Sequence, residues 1–208
     1  MNVVLFGASG MIGSRVLQEL LRRGHQVTAV ARHPEKITAP GAKAVKGDVT
    51  DEGSVAAIAK GAGAVISAFA PPQDDPQSVV SATRALLAGL AKAGVKRLIV
   101  VGGAGSLEVA PGVQLVDAPN FPEQWKGIAL AHRDVLPVLK ESNLDWTYLS
   151  PAAFIQPGER TGKFRLGGTS LVTDEKGESR ISAEDFSVAL VDELEFPAHL
   201  LQQFTVAY

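Results

Sequence analysis

The stretch "VVLFGASGMIGSRV", from Val3 to Val16, decides the fold of this chain. An apolar run comes first, and Gly7, Gly10 and Gly13 follow at a regular spacing of three. Ordered glycine carries an entropic cost, so glycines at a fixed spacing indicate that the backbone comes very close to another group. The order of apolar run, glycine turn and amphipathic segment predicts a strand, a tight turn and a helix.

The composition is that of a globular protein and excludes several classes of function. Hydrophobic residues make up 46% of the 208 residues and the formal net charge is -2, so no basic surface for nucleic acid or a membrane is indicated. The absence of cysteine excludes disulfides and thiol chemistry. No apolar run approaches the roughly 18 residues that cross a bilayer, and the first residues are not typical of a secretion signal. We therefore expect a cytoplasmic protein.

Short β-branched runs alternate with amphipathic helical patterns along most of the chain. The predicted strands are Asn2–Phe6, Gln26–Val30, Lys43–Val45, Ala64–Ser67, Arg97–Val101 and Trp146–Leu149. Helices are predicted up to Gly24, from near Asp51 to Lys60 and from near Gln77 to Lys92. Apolar strands that alternate with amphipathic helices are typical of a parallel sheet covered on both faces. The expected fold class is α/β, with a doubly wound parallel sheet.

The pattern loosens over residues 151–208, where Gly, Pro and charged residues are frequent at first. A capping box, with Ser182 three residues before Asp185, then predicts a helix. Phe204–Tyr208 is compatible with a final strand. We interpret 1–208 as one domain, in which 151–208 is a small appended region over the carboxyl edge of the sheet.

The first strand-to-helix turn of such a sheet is where phosphates bind, because close backbone and a helix N-terminus favour an anion. The spacing here is G-x-x-G-x-x-G, and not the G-x-G-x-x-G of many dehydrogenases. The alternative is a tight turn that serves packing alone. We assign cofactor contacts to Gly7, Ser9, Gly10, Met11, Ile12 and Gly13.

The end of the second strand predicts the choice of cofactor. An acidic residue about 20 positions after the glycine motif would bind the ribose hydroxyls of NAD. Ala31 and Arg32 stand there, with no carboxylate before Glu35. The planar fork of Arg32 suits a 2′-phosphate, so we expect NADP(H), with NAD(H) as the other option. Alternatively, Arg32 is a solvated loop residue.

Two further strand ends complete the expected cofactor cleft. Asp48 and Val49 follow the third strand, where Asp48 either meets the adenine amino group or caps the helix near Asp51. Val49 would pack on the adenine ring. The residues after the fourth strand leave room for a cofactor to lie across the strand ends: Ala68, Phe69 and Ala70.

These residues together resemble a known family. "GASGMIG", the arginine after strand two, "GDVTD", "VISAFAPP", "RLIVVGGAGSLEV", "LDWTYLSPAAF" and the tail "SRISAEDFSVALVDELE" are similar to the atypical short-chain dehydrogenase/reductases. Within them, the chain resembles the NmrA-like, NAD(P)H-binding branch and the small bacterial proteins named as NADH-flavin reductases. The resemblance covers nearly the whole chain and implies a Rossmann-type fold.

The chain departs from that family at its catalytic pair. Most members use Tyr-x-x-x-Lys, whereas the tyrosines here, Tyr148 and Tyr208, have no such lysine. The place of the tyrosine falls near His132, whose ordinary pKa of about 6.5 would suit proton donation. His132 is otherwise a surface or packing residue. Ser106 lies near the position that the resemblance implies for a catalytic serine, and is a weaker candidate.

The expected nicotinamide end of the cleft follows the fifth strand. Gly102 and Gly103 would let the ring approach the strand end. Phe121 and Trp125 either form an aromatic wall for a flat substrate or anchor their loop to the core. Pro151–Phe154 would close the other side of the pocket.

The leading hypothesis is an NADPH-dependent reductase of a flat acceptor such as a flavin or quinone, because the cofactor carries the chemistry and the acceptor takes its proton from solvent. The alternative is a non-catalytic NADP(H) sensor that regulates a protein partner. A sugar-nucleotide epimerase or dehydratase is less favoured, since those reactions need the missing acid/base pair. The scattered histidines predict no metal site.

Overall fold

The computed structural model describes residues 1–208 and contains an eight-stranded sheet with helices on both faces. The strands are β1 (Asn2–Phe6), β2 (Gln26–Ala31), β3 (Lys43–Lys46), β4 (Ala64–Ser67), β5 (Arg97–Val101), β6 (Glu108–Ala110), β7 (Val113–Gln114), β8 (Asp145–Ser150), β9 (Phe154–Gln156), β10 (Arg165–Gly167), β11 (Arg180–Ser182) and β12 (Gln202–Ala207). The α-helices are α1 (Met11–Arg22), α2 (Glu52–Ala59), α3 (Ser78–Ala93), α4 (Glu123–Lys140) and α5 (Ala183–Glu195). No helix is both long enough and apolar enough to cross a bilayer.

The main sheet has the strand order β10-β12-β8-β5-β4-β1-β2-β3. Every neighbouring pair is parallel except β10 with β12, which is antiparallel. The chain winds outward in both directions from β1, which pairs with β2 on one side and β4 on the other. Ligands of open parallel sheets bind at such a switch point, outside the carboxyl ends of the strands. The predicted doubly wound α/β fold is confirmed.

Alternate side chains of β1 face two separate hydrophobic cores. Val3 and Leu5 belong to the core that α1 and α5 cover, whereas Val4 and Phe6 belong to the core under α2, α3 and α4. Both sets are almost fully buried. This burial on both faces explains why the strand reads as a continuous apolar run and not as an alternating pattern.

Residues 151–208 contribute more to the sheet than the sequence indicated. β12 adds to the main sheet beside β8, and α5 packs along α1 on the same face. Only the short parallel pair of β9 and β11 lies outside the main sheet near the end of β8. The sequence did not indicate that α5 and β12 of this region belong to the main sheet and its core.

A network of charged side chains joins α1 to α5 and to the segment before β10. The carboxylate of Glu19 is buried and accepts hydrogen bonds from Arg160, at 2.7 and 2.8 Å, and from Arg23, at 2.8 Å. Arg23 also contacts Asp192 and Glu195 of α5, at 2.7 and 2.8 Å. The hydrogen bonds from Arg160 lower the pKa of Glu19 to about 2, although burial opposes this shift.

We predict that Glu19 makes the stability of the fold depend on pH. Its folded-state pKa lies below the ordinary value of 4.5, so its contribution is present above about pH 4.5 and is lost as the pH falls towards about 2. Glu19→Gln should lower the free energy of unfolding at neutral pH by about 2 kcal/mol, since hydrogen bonds to a charged group are lost. Urea unfolding between pH 7 and 2.5 measures both effects.

The matched control is Glu123→Gln, because Glu123 is exposed and its contact with Lys126 is long, at 3.6 Å. Between pH 4.5 and 2.5, the free energy of unfolding of this variant should fall with pH as steeply as that of the wild-type protein. In Glu19→Gln it should fall less steeply. An unchanged slope in Glu19→Gln would contradict the assignment.

Candidate functional site

Two glycines of the turn between β1 and α1 have no room for a side chain. Gly7 has a φ of +78°, and a Cβ there would lie 2.4 Å from the carbonyl oxygen of Ala68. A Cβ on Gly13 would lie 2.1 Å from the carbonyl oxygen of Gly7. Gly10 is less constrained, with that oxygen 3.4 Å from its Cβ position. Glycine at positions 7 and 13 thus allows the first turn of α1 to pack directly on the loop between β1 and α1.

This turn leaves backbone donors without partners at the N-terminus of α1. The amides of Ser9, Met11, Ile12 and Gly13 have no acceptor within the chain, while the Gly10 amide bonds to the carbonyl of Gly7 at 3.0 Å. Gly10 is the N-cap and supplies no side-chain cap, and the first turn carries no acidic residue. Free amides and the positive end of the helix dipole together favour an anionic ligand. The residues present therefore fit a phosphate or pyrophosphate group.

A cavity of about 230 Å³ opens beside the turn, at the carboxyl ends of β1 to β4. Three loop residues line it, namely Gly7, Ser9 and Gly10. The remaining predicted contacts on its walls are Arg32, Asp48, Val49, Ala68, Phe69 and Ala70. A larger groove of about 600 Å³ lies between the ends of α3 and α4, but it contains no predicted site residue and no free helix N-terminus. The chemistry of the glycine turn, and not size, identifies the candidate site.

Two charged residues line this cavity, Arg32 and Asp48, and they differ in their contacts with the rest of the chain. Arg32 follows β2, is exposed and forms no salt bridge. Asp48 accepts hydrogen bonds from the amide and hydroxyl of Thr50 through Oδ1, at 2.9 and 2.7 Å, and these bonds lower its pKa. Its Oδ2 has no partner in the chain. The helix α2 is capped by Asp51, at 2.8 and 3.1 Å from two amides, so the alternative that Asp48 caps it is wrong.

His132 lies on α4 against the loop that follows β5. Its ring is half-buried, and Nδ1 is fully buried without a hydrogen-bond partner. Burial lowers the pKa of His132 to about 4. This pKa lies below the ordinary value on which the sequence argument relied, because burial disfavours the charged ring. At neutral pH the imidazole is neutral and is not a ready proton donor.

The glycines after β5 serve packing within the protein. A Cβ on Gly102 would lie 2.2 Å from Cε1 of Tyr148, and one on Gly103 would lie 2.9 Å from Cβ of His132. The side of each glycine where a Cβ would stand is therefore occupied by protein, and the predicted approach of a nicotinamide to these glycines stays a prediction. Their missing side chains let β8 and α4 approach the strand end closely.

Tyr148 holds this region together and was missed from the sequence. Its ring is fully buried, its hydroxyl donates to the carbonyl of His132 at 2.8 Å, and it accepts from the amide of Gly103 at 3.1 Å. Burial raises its pKa, so the hydroxyl keeps its proton. A lone tyrosine within an apolar strand gives no short-range signal of such a role. The neighbouring glycine pair was the only indication that a large side chain lies opposite.

Ser106 is buried and bonded inside the protein. Its Oγ accepts from Nε2 of Gln203 at 2.8 Å and lies 3.4 Å from the carbonyl of Gly103. Gln203 also donates to Ser150 at 2.9 Å. The serine thus links the loop after β5 to β12, and its hydroxyl is not presented to solvent.

The aromatic residues predicted to face a substrate are not brought together. Trp125 lies in the first turn of α4 and is 48% exposed, and Phe121 lies just before that helix. Phe154 opens β9, is 72% exposed and lines a separate cavity of about 300 Å³ with Arg180 and Tyr208. Neither Phe121 nor Trp125 contributes to that cavity, and Pro151, after β8, is buried.

Three solved structures resemble the protein over its whole length. A Burkholderia pseudomallei protein, provisionally described as exported, is 51% identical with a TM-score of 0.93, and each chain is fully covered. A Bacteroides thetaiotaomicron protein, provisionally described as an epimerase, is 44% identical with a TM-score of 0.93, covering 100% of this chain and 96% of that one. A Streptococcus pneumoniae protein, provisionally described as an NADH-flavin reductase, is 35% identical with a TM-score of 0.88, covering 100% and 99%.

Residues 7–197 match the family described as NAD(P)H-binding. That span includes the glycine turn, Arg32 and every strand of the sheet except β1 and the last, which flank it. With its Rossmann-type sheet and its similarity to small bacterial reductase-like proteins, the chain belongs to the NAD(P)H-binding family.

Proposed function

We propose that the protein is an NADPH-dependent reductase that passes hydride to a flat acceptor such as a flavin or a quinone. The observation that carries the proposal is that Ser9, whose amide has no partner, and Arg32, which forms no salt bridge, line one cavity. The cavity lies beside the start of α1, where the amides of Met11, Ile12 and Gly13 are also unpartnered. The amides suit the pyrophosphate of a dinucleotide. Arg32 suits the additional phosphate that distinguishes NADPH from NADH.

The adenosine end of the cofactor fits the walls of the same cavity. Oδ2 of Asp48 is free to accept a hydrogen bond from an amino group, and Val49 supplies an apolar surface beside it. The hydrogen bonds from Thr50 account for most of the lowering of the Asp48 pKa, and the nearby positive charge of Arg32 adds to it. One cavity thus offers a cation for a phosphate and an acceptor for adenine.

The choice of acceptor follows from what the polar groups near β5 are able to do. His132 is neutral, Ser106 is bonded to Gln203, and the hydroxyl of Tyr148 is bonded to backbone. None of them is a free acid. A bound nicotinamide supplies hydride, and a flavin or quinone takes its proton from water, so the protein needs only to align the two rings. The similarity to a protein provisionally described as an NADH-flavin reductase supports this choice.

The exposed aromatic residues are our candidates for contacting the flat acceptor. Phe154 is 72% exposed and Trp125 is 48% exposed, and aromatic rings are suited to stacking on a planar molecule. Phe121, just before α4, is less exposed than either of them.

A second candidate is an NADP(H) sensor without turnover. It is favoured by the same observation that the hydroxyls and the imidazole near β5 are committed to the protein or neutral. Purified protein should be titrated with NADPH and NADH by calorimetry, and oxidation of NADPH should then be followed with FMN, FAD and a soluble quinone. Turnover supports the reductase, and binding without turnover supports the sensor. Absence of binding to either nucleotide overturns both.

Arg32→Ala should remove the preference for NADPH. The loss of a guanidinium-phosphate contact of roughly 1.5 to 3 kcal/mol predicts an affinity for NADPH about 10 to 100 times weaker. The affinity for NADH should stay within about twofold, because NADH has no 2′-phosphate. Lys36→Ala is the control, since Lys36 is exposed nearby but does not line the cavity. Equal losses for both nucleotides would contradict the role assigned to Arg32.

Gly13→Ala should weaken NADPH and NADH alike. Its Cβ, 2.1 Å from the Gly7 carbonyl oxygen, forces the first turn of α1 away from the loop and misdirects the free amides. We expect a loss of at least about tenfold in both affinities by calorimetry, with folding checked by circular dichroism. Gly63→Ala is the matched control, because the nearest atom to its Cβ is 3.5 Å away. Unchanged binding in Gly13→Ala would place the anion elsewhere.

A further inference from the structure

Tyr148 connects three elements at the carboxyl edge of the sheet. It lies on β8, and its hydroxyl donates to the carbonyl of His132 on α4 at 2.8 Å. The same oxygen accepts from the amide of Gly103, just after β5, at 3.1 Å. Its ring has no exposed surface. One buried hydroxyl therefore satisfies a donor on one element and an acceptor on another.

The surrounding backbone is shaped to the tyrosine ring. A Cβ on Gly102 would overlap the ring, at 2.2 Å from Cε1 and 2.4 Å from Cζ. The amide of Gly102 bonds to the carbonyl of Leu149 at 2.8 Å, next to Tyr148 on β8. Gly103 then packs its Cα side against the Cβ of His132. The loop after β5 is held between the tyrosine and the histidine.

A proline interrupts the hydrogen-bond ladder of α4 close to this contact. Pro137 lies inside α4 and has no amide hydrogen, so the carbonyl of Arg133 lacks its usual helical donor. Helices bend where the hydrogen-bond ladder is interrupted. The Tyr148 hydroxyl supplies a donor to the adjacent carbonyl of His132, at the weakened turn.

The tie lies just after β5, which pairs with β4, and the residues after β4 line the cavity. Arg32 and Asp48 follow β2 and β3, on one side of the glycine turn, whereas Gly103 follows β5 on the other side. A dinucleotide with its adenosine over β2 and β3 and its pyrophosphate at α1 directs its nicotinamide towards β4 and β5. Gly103, which follows β5, and His132, which packs against it, lie on that side of the sheet.

We propose that Tyr148 is a positioning residue, whose hydroxyl fixes the Gly103 backbone and His132 against each other at the nicotinamide end of the cleft. The inference rests on the proposed cofactor function, but the tie itself is a property of the free protein. In this role Tyr148 contacts no ligand. It acts through the two groups that it bonds.

Tyr148→Phe removes the hydroxyl and keeps the ring that fills the space beside Gly102. The matched control is Trp146→Phe, on the same strand and in the same core but two residues further from the carboxyl edge. Both variants alter a buried aromatic residue, and only Tyr148→Phe removes a bond to Gly103. Folding of both is checked by circular dichroism and melting.

Binding is measured by calorimetry with two probes: 2′,5′-ADP, which contains only the adenosine half, and NADPH. Tyr148→Phe should leave the affinity for 2′,5′-ADP within about twofold and weaken NADPH about five- to tenfold, as expected for a lost hydrogen bond of about 1 kcal/mol. If the protein turns over, kcat should also fall. Trp146→Phe should leave the affinities for both 2′,5′-ADP and NADPH unchanged. Equal effects of the two variants on NADPH would overturn the proposal.

Hydrogen-deuterium exchange of the free protein tests the tie without any ligand. The amide of Gly103 should exchange at least about tenfold faster in Tyr148→Phe than in Trp146→Phe, because its acceptor is gone. If the wild-type protein binds neither probe, the proposed function fails, and this exchange result alone decides whether Tyr148 fixes the loop. Unaltered exchange at Gly103 would overturn the role of Tyr148 even where cofactor binding is intact.

Gly103→Ala provides a second variant with the hydroxyl intact. Its Cβ would lie 2.9 Å from Cβ of His132 and must push the loop away from α4. It should reproduce the selective loss of NADPH affinity and spare 2′,5′-ADP. A normal NADPH affinity in this variant would contradict the importance of the Gly103–His132 contact.

Discussion

The packing of the first turn of α1 on the carbonyl of Gly7 is the constraint on which the candidate site depends. Only hydrogen fits at Gly13, and only a left-handed conformation at Gly7 brings the turn beside Ala68. This packing directs a set of unpartnered amides outward at the switch point of the sheet. The anion site is therefore a consequence of how the helix meets the strand, and not of any charged side chain in the turn.

Features that depend on local chemistry could be predicted from the sequence. The strand runs are apolar throughout because both faces of the sheet are covered, and the glycine spacing reports a backbone contact. Arg32, Asp48 and Val49 were predicted to share a cleft, because the carboxyl ends of parallel strands meet at one edge. These inferences required only the order of strands, turns and helices.

Features that depend on which side chain fills which space could not be predicted. The sequence alone does not distinguish Asp48 from Asp51 as the N-cap of α2. The hydrogen bonds to the helix amides identify Asp51 as the cap. The glycines after β5 indicated a close approach, but the sequence could not reveal that the side chains packed on them are Tyr148 and His132. The pKa of His132 depends on the amount of protein around its ring, which spacing along the helix does not reveal.

The pairing of α5 with α1 has a consequence for biosynthesis. The core on that face of the sheet contains residues as far apart as Val3 and Leu190. A ribosome must therefore expose most of the chain before this face can be covered, and the β12–β8 pairing follows later still. Until then, α1 and the strands beneath it present apolar surface in a partly made chain, the condition under which nascent proteins engage chaperones. The opposite face, built on α2, α3 and α4, is complete earlier, so folding during translation is expected to begin there.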